Sequence, residues 1–287
     1  MPPASPITRD DVIAGLRQLG LPAGAGVMVH SSLKSFGRVT GGAQTVIEAL
    51  MEVLTPQGTL LMPSFNHGTA FEEGAPGYYH PSKTATTNGA IPDLFWRMPG
   101  VSRSLDPTHA IAAWGRHSQQ YTQFHHRTLT MGPQSPLGLL HKDNGFGLLL
   151  GATYGANTFH HVVEMSTGAP CLGLRTEAYP VVLPDGLVVQ GRTWGWRDGT
   201  CPINDYTVYQ DEMQFLHKEV MIGRCRAIIF RLQDCFTVIA RLLREGEKSI
   251  PSCKRCRVRP RRVPQTVPSD WDPIHQRPVP ESTAWSY

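Results

Sequence analysis

The sequence contains no run of about 18 apolar residues, the minimum length of a membrane-spanning helix. Residues 1–6 also lack the basic and apolar regions of a secretory signal. The first absence argues against a helical membrane protein, and the second argues against export through a signal peptide. We therefore expect a cytoplasmic protein with no membrane partner.

Cysteine is scarce, with six residues in a chain of 287. A chain of this length does not need disulfides for stability, so we expect reduced thiols. The only spacing typical of a metal site is that of Cys253 and Cys256, which make half of a zinc site. No second CxxC or HxxxH pair accompanies them, and we therefore expect no bound metal.

Two phosphate-binding fingerprints are absent, because neither GxxxxGK nor GxGxxG occurs. The chain does contain a loop at residues 31–42 that is rich in glycine and serine. This loop follows a predicted strand at Val27–His30 and precedes a helix predicted from about Gly41. Open backbone N–H groups and the positive end of a helix suit a phosphate or an extended cofactor arm. A tight turn between strand and helix, with no ligand, is the alternative interpretation.

The net charge of +4 conceals an uneven distribution. Residues 253–262 hold six of the 27 basic residues and no acid, so the rest has 21 basic against 23 acidic residues. We expect one domain at residues 1–248 and a basic, proline-rich tail at residues 249–287. A nucleic-acid-binding protein that uses this tail is the alternative from another functional class. Because no aromatic residues interrupt the basic run, we expect no nucleic-acid partner, and we leave a homodimer open.

The hydrophobic pattern predicts an α/β fold with a largely parallel or mixed central sheet flanked by helices and a β-hairpin insertion. A strand, loop, helix and strand follow each other up to Met62, and ligands of such sheets collect at the carboxyl ends of the strands. The hairpin is predicted at residues 178–197 with its turn at Asp185-Gly186. Residues 66–88 show no clear hydrophobic periodicity, and we therefore expect them to form a long surface loop over the ligand site. The other predicted segments are helices at 8–20, 46–54, 91–97, 205–223 and 232–243, and strands at 59–63, 110–115, 146–152 and 226–230.

A histidine and a glutamate three residues apart, His161 and Glu164, follow the apolar strand at residues 146–152. If this segment is helical, the two side chains share one face and can form a catalytic base with its orienting carboxylate. Paired histidines near a strand end are also common as partly exposed core residues. Spacing alone leaves both interpretations open.

Six motifs, taken in order, resemble those of the aminoglycoside 3-N-acetyltransferase family. They lie at residues 30–43, 58–65, 89–93, 99–104, 135–138 and 157–164. The resemblance implies an acetyl-CoA-dependent enzyme with the family's own α/β fold, which differs from that of the other common N-acetyltransferases. It also implies that His161 is the general base, that Glu164 orients it, and that His160 is a packing residue. Thr158 and the backbone of residues 31–35 are candidate donors to the oxyanion of the reaction.

The same resemblance implies a cofactor site along the first motif, completed by two residues of the fourth. Lys34 and Arg38 are expected to contact the phosphates, and ordinary solvated charges are the alternative. The expected acetyl-CoA contacts are His30, Ser31, Ser32, Leu33, Lys34, Ser35, Phe36, Gly37, Arg38, Val39, Arg103 and Ser104.

The sequence departs from the family pattern at two positions near its middle. Asp106 stands where a histidine is frequent, and Ala110 stands where a serine is frequent. These changes put a hydroxyl contact at 110 in doubt.

The expected acceptor is an aminoglycoside, whose positive charges require a cleft lined by carboxylates. A different amine metabolite is the alternative acceptor, and Cys171 or Cys201 as an acyl-carrying nucleophile is the alternative to direct transfer. Further candidates for the acceptor cleft are Glu73, Asp93, Asp205 and Trp196. The expected acceptor contacts are Phe65, Asn66, Glu72, Tyr78, Asp198 and Asp211.

Overall fold

The computed structural model describes residues 5–167, 177–193, 207–249, 271–272 and 277–278. The helices are Arg9–Leu19 (α1), Gly42–Leu54 (α2), Ala90–Phe95 (α3), Ser118–Thr122 (α4), Pro136–Lys142 (α5), Phe159–Thr167 (α6), Thr207–Met213 (α7) and Leu232–Ser249 (α8). The strands are Gly26–Ser31 (β1), Thr59–Pro63 (β2), Ser102–Arg103 (β3), Ile111–Gly115 (β4), Phe146–Leu150 (β5), Glu177–Val182 (β6), Val188–Thr193 (β7), His217–Ile222 (β8), Cys225–Arg231 (β9), Trp271–Asp272 (β10) and Arg277–Pro278 (β11).

Seven strands form one mixed sheet in the order β3-β4-β2-β1-β5-β9-β8. The three central strands, β2, β1 and β5, are mutually parallel. The outer strands β4, β3, β9 and β8 are all antiparallel to their neighbours. The predicted α/β fold with a mixed central sheet is therefore confirmed.

Local signals account for the first helix. The side chain of Thr8 accepts a hydrogen bond from Asp11 N–H at 3.2 Å, and Asp11 Oδ2 accepts one from Thr8 N–H at 2.8 Å. This capping box satisfies two N–H groups that the first turn leaves without partners. Gly20 ends the helix with φ +88°, a conformation that glycine adopts without steric cost.

The sheet separates two apolar layers. On one face α1, α2 and α3 cover a core that includes Leu16, Leu50 and Phe95. On the other face α5, α6, α7 and α8 cover a core that includes Leu140 and Phe159. Because both faces of β1, β2 and β5 are covered, these strands are continuous buried runs, as expected for the parallel part of a sheet.

One edge of the sheet, called the carboxyl edge here, collects the segments that follow the three parallel strands. β1, β2 and β5 all end there, at Ser31, Pro63 and Leu150. β4 runs the other way, and its first residue, Ile111, pairs with Pro63. The loop that precedes β4 therefore lies at the carboxyl edge as well.

The predicted helix over residues 205–223 is wrong beyond its first half. α7 ends at Met213, and residues 217–222 form β8, the outermost strand. A tight turn with Gly223 at φ +60° returns the chain antiparallel onto β9, and Arg226 pairs with Glu219 across the hairpin. Pairing with a neighbouring strand decides the structure of residues 217–222 and overrides the helical pattern on which the prediction rested.

The hairpin insertion is confirmed, since β6 and β7 pair antiparallel around a turn that contains Gly186 at φ +88°. No helix among the described residues is long and apolar enough to cross a membrane. Cys253 and Cys256 lie outside the described residues, as does most of the predicted tail. The boundary at residue 248 and the absence of zinc from the tail stay predictions.

Candidate active site

The segment that follows β5 brings the predicted base to the carboxyl edge. Gly151 turns the chain with φ +66°, and α6 then begins at Phe159. The buried side chain of Asn157 stabilises this start, because its Oδ1 accepts a hydrogen bond from Phe159 N–H at 3.3 Å. α6 therefore points its first turn, with His161, toward the edge where ligands collect.

His161 and Glu164 form the predicted pair. Their closest atoms, His161 Nδ1 and Glu164 Oε2, are 2.9 Å apart, as expected for residues three apart on one helix face. The Glu164 side chain is only 2% exposed, whereas that of His161 is 31% exposed. A carboxylate only accepts hydrogen bonds, so Nδ1 carries the hydrogen and Nε2 keeps its lone pair in the neutral ring. The buried carboxylate thus orients an accessible imidazole that can accept a proton.

The neighbouring His160 has a different environment. Its Nδ1 donates to the carbonyl oxygen of Asn157 at 2.6 Å, and its ring centroid lies 4.0 Å from that of His161. His160, His161 and Glu164 also offer ligand atoms within 4.8 Å of one another, a spacing that a transition metal could use. Hydrogen bonds already explain why these three side chains lie close together. That no metal binds here stays a prediction.

Thr158 lies between α6 and the end of β1. Its hydroxyl oxygen is 3.4 Å from Nε2 of His30, although 128 residues separate the two in sequence. Burial and, to a smaller extent, the nearby ring of His160 lower the pKa of His30 to about 4. His30 is therefore neutral at pH 7 and packs behind the site as an uncharged hydrogen-bonding group.

Two further histidines, His67 and His109, belong to this site and are absent from the sequence predictions. Their ring centroids lie 5.6 Å apart, and both rings contact Phe65. Burial lowers the pKa of His109 to about 3, while the carboxylate of Asp106 opposes this shift and the imidazoles of His67 and His161 add to it. His109 is therefore a neutral aromatic neighbour of the predicted base.

The predicted cofactor loop closes against the end of β5. Residues 33–36 form one turn of 3-10 helix, and Ser32 N–H donates to the carbonyl oxygen of Leu150 at 2.9 Å. The hydroxyl of Ser31, at the end of β1, is buried and has no hydrogen-bond partner among the described residues. No side chain caps the N-terminus of α2, which follows the loop. An orphaned hydroxyl and an uncapped helix start together fit the amide and phosphate groups of a cofactor arm.

Lys34 and Arg38 are exposed on this loop, as solvated side chains or phosphate contacts would be. Leu33 and Val39 are half-buried, and Phe36 is buried in the core below them. Gly37 ends the turn with φ +83°. The charged side chains of the loop therefore face solvent, whereas its apolar side chains pack against the core.

The predicted cofactor contacts Arg103 and Ser104 have partners within the protein. Arg103 donates to the carbonyl oxygens of Ser64 at 3.0 Å and Pro81 at 3.1 Å. Ser104 is fully buried, and its hydroxyl oxygen accepts from Ile111 N–H at 2.8 Å. Ser104 therefore supports the loop before β4, and a direct contact between it and a cofactor stays a prediction without structural support.

The first departure from the family pattern, Asp106, is fully buried in that loop. Its Oδ1 accepts from Thr108 N–H at 3.0 Å and from His109 N–H at 2.7 Å, and its Oδ2 accepts from the hydroxyl of Thr130 at 2.8 Å. These bonds fix the turn that carries His109. In this chain, Asp106 thus acts on the site by holding His109 in place.

The second departure, Ala110, leaves a neighbouring hydroxyl without a partner. Ser64 N–H donates to the carbonyl oxygen of Ala110 at 2.8 Å, so the two side chains lie opposite each other at the continuation of β2 and β4. The Ser64 hydroxyl is buried and makes no hydrogen bond to any described residue. A buried hydroxyl without a partner costs about 1–3 kcal/mol.

We therefore expect Ala110→Ser to raise the free energy of unfolding by about 0.5–1.5 kcal/mol, because the new hydroxyl can pair with that of Ser64. Urea denaturation of the two proteins measures this difference. Ala112→Ser is the control, since Ala112 is equally buried but pairs across the strands with Met62, which offers no hydroxyl, and we expect that change to destabilise. Equal loss of stability in both variants would contradict the pairing.

The predicted acceptor contacts are spread over several segments. Phe65 is buried beside His109, and the Asn66 amide donates to the carbonyl oxygen of Pro107 at 2.7 Å, which holds the loop rather than facing a ligand. Among the acidic and aromatic candidates, Glu72, Glu73 and Asp211 are exposed, Tyr78 is half-buried, and Asp93 is paired with Arg97. Asp198, Asp205 and Trp196 lie outside the described residues, as do Cys171 and Cys201.

Comparison with known proteins identifies the family. The model of the family described as aminoglycoside 3-N-acetyltransferase matches residues 28–244. The SPbeta prophage-derived aminoglycoside N(3')-acetyltransferase-like protein YokD of Bacillus subtilis (strain 168) is 36% identical over 178 residues, and the match covers 55% of this chain and 65% of that protein. Aminoglycoside N(3)-acetyltransferase IV of Salmonella sp is 34% identical over 180 residues, 63% of this chain and 66% of that protein. The chain thus spans slightly less than two thirds of the length of each.

A solved structure extends this likeness to the fold. It is that of a histidine-to-alanine mutant of aminoglycoside acetyltransferase AAC(3)-IVa in complex with a gentamicin. The two chains are 28% identical, with a TM-score of 0.69, and the match covers 87% of this chain and 92% of that one. The family match over most of the sequence and the shared fold agree, and the chain belongs to the aminoglycoside 3-N-acetyltransferase family.

Proposed function

We propose that this protein transfers an acetyl group from acetyl-CoA to the 3-amino group of an aminoglycoside. The observation that carries the proposal is the pair of His161 and Glu164 at the carboxyl edge, next to a loop suited to a cofactor arm. Family membership names the reaction class, and the complex of AAC(3)-IVa with a gentamicin supports an aminoglycoside acceptor. The proposed location is the cytoplasm, with no nucleic-acid partner and a homodimer as one arrangement.

The geometry assigns a role to each side chain of the pair. Acetyl-CoA supplies the acetyl group as a thioester, and an amine attacks it only in its unprotonated form. Nε2 of His161 accepts the proton that the amine loses as the C–N bond forms. The carboxylate of Glu164, 2.9 Å from Nδ1, stabilises the resulting imidazolium. His161 then delivers this proton to the CoA sulfur as the C–S bond breaks, so that the protein ends the cycle unchanged.

The neutral histidines around the pair fit a cationic acceptor. His30 and His109 have pKa values lowered by burial to about 4 and about 3, so neither adds a positive charge at pH 7. Positive charges beside His161 would repel a polycationic aminoglycoside and disfavour the imidazolium. We propose that Thr158 and the backbone N–H groups of residues 31–35 stabilise the developing oxyanion.

Neither of the two cysteines that the structure describes suits an acyl-carrying nucleophile, and the alternative at Cys171 or Cys201 lies outside the described residues. Cys225 and Cys235 are both buried, and burial raises the pKa of Cys235 to about 12. Such a thiol is protonated and unreactive at pH 7. Mass spectrometry of the protein mixed with acetyl-CoA alone tests whether Cys171 or Cys201 carries the acetyl group. An acetylated Cys171 or Cys201 would refute direct transfer.

The experiment that tests the function is a thiol-release assay with acetyl-CoA across a panel of aminoglycosides and simple amines. We expect release to require an aminoglycoside with a free 3-amino group, since the description of the family names this amine as the acceptor. The matched control is the same aminoglycoside already acetylated at that amine. If a simple amine released the thiol faster than every aminoglycoside did, the proposed acceptor class would be wrong. Acetyl-CoA would remain the acetyl donor.

A further inference from the structure

Three aromatic rings, those of Phe65, His67 and His109, form a group at the carboxyl edge that is called the ring cluster here. The ring centroids of Phe65 and His109 are 4.9 Å apart, and those of the other two pairs are each 5.6 Å apart. The cluster adjoins the predicted base, since the imidazole of His161 is close enough to His109 to lower its pKa. Whatever binds at the ring cluster therefore lies beside the reacting groups.

The backbone of His67 is strained. Its φ is +48°, in the left-handed region that residues other than glycine seldom adopt. Asn66 N–H and His67 N–H both donate to the carbonyl oxygen of Thr108, at 3.1 and 3.3 Å, and so hold the chain in this conformation. The Asn66 side chain adds a bond to the carbonyl oxygen of Pro107 at 2.7 Å. Strain that the surrounding contacts maintain in this way is concentrated at functional sites.

The imidazole of His67 is an exposed hydrogen-bond acceptor. Its Nδ1 lies 2.7 Å from the hydroxyl oxygen of Thr87, and that hydroxyl donates to the carbonyl oxygen of Phe65 at 3.3 Å. A hydroxyl has only one hydrogen to donate, so Nδ1 carries the hydrogen of the neutral ring and Nε2 keeps its lone pair. Partial burial lowers the pKa of His67, whose side chain is nonetheless exposed. His67 is therefore neutral at pH 7 and suits a ligand that donates hydrogen bonds.

His109 connects the ring cluster to a buried carboxylate. Its Nδ1 lies 2.8 Å from the hydroxyl oxygen of Thr108, and this hydroxyl donates to Asp106 Oδ1 at 3.3 Å. Asp106 is fully buried and also accepts from two backbone N–H groups and from the hydroxyl of Thr130. Four donors around one side chain suit an ionised carboxylate, because it only accepts hydrogen bonds. Asp106 thus places a negative charge behind the ring cluster.

The charge of Asp106 has no cationic partner among the described residues. The one described group within ion-pair distance is Nε2 of His125, 4.0 Å from Oδ2. Burial lowers the pKa of His125, so this ring is uncharged at pH 7, and its Nε2 donates to the carbonyl oxygen of Thr130 at 2.7 Å. Charges act over longer distances in the protein interior than in water. The carboxylate of Asp106 therefore favours a cation at the ring cluster.

We infer that the ring cluster binds an ammonium group of the acceptor other than the amine that reacts, with Nε2 of His67 accepting its hydrogen bond and the charge of Asp106 attracting it. An ammonium has a positive charge and only N–H donors, so it matches an exposed lone pair in front of a buried negative charge. A hydroxyl would gain from the lone pair alone. The inference rests on the proposed function, because an aminoglycoside carries several amines, and it names a contact that discriminates among such acceptors.

His67→Asn tests the inference. Asparagine tolerates the left-handed conformation, and its side-chain nitrogen can take the place of Nδ1 but leaves that of Nε2 empty. We expect the Kd of a gentamicin to rise about tenfold or more, as for a lost hydrogen bond to a charged group, while the Kd of CoA stays that of the wild type. In the thiol-release assay, KM for the aminoglycoside should rise by a larger factor than kcat falls. Calorimetric titration of the full chain measures both affinities.

Asp106→Asn tests the charge, because it keeps the shape of the side chain and the oxygen that the backbone N–H groups contact. We expect weaker binding of a gentamicin. Asp10→Asn is the matched control, since Asp10 is an exposed aspartate in the first turn of α1 and its loss changes the net charge equally. This control should bind as the wild type does. His67→Asn alters an exposed side chain, so it decides the question even if Asp106→Asn does not fold.

Pairs of aminoglycosides with an amino or a hydroxyl group at the same ring position test the ammonium itself. At the position that His67 contacts, the hydroxyl compound should bind the wild type more weakly than the amino compound, and His67→Asn should bind the two with affinities within about threefold of each other. Equal discrimination by both proteins at every position would overturn the inference.

The same titrations separate the inference from the proposed function. If the wild type acetylates an aminoglycoside and His67→Asn binds a gentamicin as tightly as the wild type does, the inference is wrong and the function stands. If the wild type binds no aminoglycoside at millimolar concentration, the proposed acceptor and the inference are both wrong.

Discussion

His161→Ala is expected to lower kcat/KM for acetyl transfer by about 10²–10⁴-fold, the contribution typical of a general base. In the proposed mechanism this variant lacks the nitrogen that accepts the proton of the amine, whereas the cofactor loop at residues 30–39 is untouched. We therefore expect CoA to bind with an affinity close to that of the wild type. Thiol release measures the first quantity, and calorimetric titration with CoA measures the second.

His160→Asn is the matched control for this prediction. It removes the adjacent imidazole, but its side-chain nitrogen stands in the place of Nδ1 and can still donate to the carbonyl oxygen of Asn157, which His160 Nδ1 contacts at 2.6 Å. We expect less than about a tenfold loss, because His160 has no role in proton transfer in this mechanism. A greater loss in His160→Asn than in His161→Ala would reverse the assignment of the two histidines.

Added imidazole distinguishes a missing base from a damaged structure. If His161 acts as a base, free imidazole can enter the space left by the alanine and restore part of the turnover, more so as the pH rises and the imidazole loses its charge. A merely structural histidine would not respond in this way. Near-normal turnover of His161→Ala without imidazole would refute the mechanism.

Gly151→Ala is expected to lower the free energy of unfolding by about 2–5 kcal/mol, the sum of a left-handed backbone penalty and steric overpacking. A Cβ at this position would lie 1.7 Å from Ser35 Oγ, and Gly151 itself has φ +66°. Ser35 cannot move aside freely, because its hydroxyl donates to the carbonyl oxygen of Ser32 at 2.7 Å. The clash therefore displaces the cofactor loop, and we also expect weaker binding of CoA. Urea denaturation and CoA titration measure the two effects.

Gly24→Ala isolates the part of this effect that comes from the backbone. Gly24 has φ +77°, and a Cβ there would meet nothing within 4 Å. We expect a loss of about 1–2 kcal/mol from the left-handed conformation alone and no change in CoA binding. If the two glycine variants lost the same stability and bound CoA equally well, the contact between Gly151 and the cofactor loop would have no energetic importance.

The sequence predicts those parts of the fold that local signals determine. The ends of α1 follow from Thr8 and Gly20, and β2 follows from an apolar run that begins after Gly58. The pair of His161 and Glu164 is also local, since three residues on one helix face bring the two side chains together whatever surrounds them. The family resemblance was needed to favour a catalytic pair over a packing pair and to choose between the two adjacent histidines.

The direction of a strand is not a local property, and this explains why His109 is missed. The sequence predicts β4 but contains no signal that it runs antiparallel to β2. In a parallel arrangement its first residues would lie at the opposite edge of the sheet, far from His161. The observed direction places His109 at the carboxyl edge, where its ring contacts those of Phe65 and His67.

The role of Arg103 also depends on distant segments. Its partners, Ser64, Pro81 and Thr84, are 39, 22 and 19 residues away along the chain. The resemblance implies a cofactor contact, and the structure adds a set of backbone carbonyls that no motif encodes. A charged residue in a short edge strand can thus hold together loops that the pattern of hydrophobic residues does not connect.

The contact between Thr158 and His30 has a consequence for the folding of the protein. The two residues are 128 positions apart, and they meet only after β1 and β5 have paired in parallel. Non-local pairing of this kind is slow, because a long loop must close before any contact compensates for the lost chain entropy. In a refolding experiment, helical signal should therefore return before enzymatic activity does. Activity reports completion of the central sheet, whereas circular dichroism also reports the helices that form earlier.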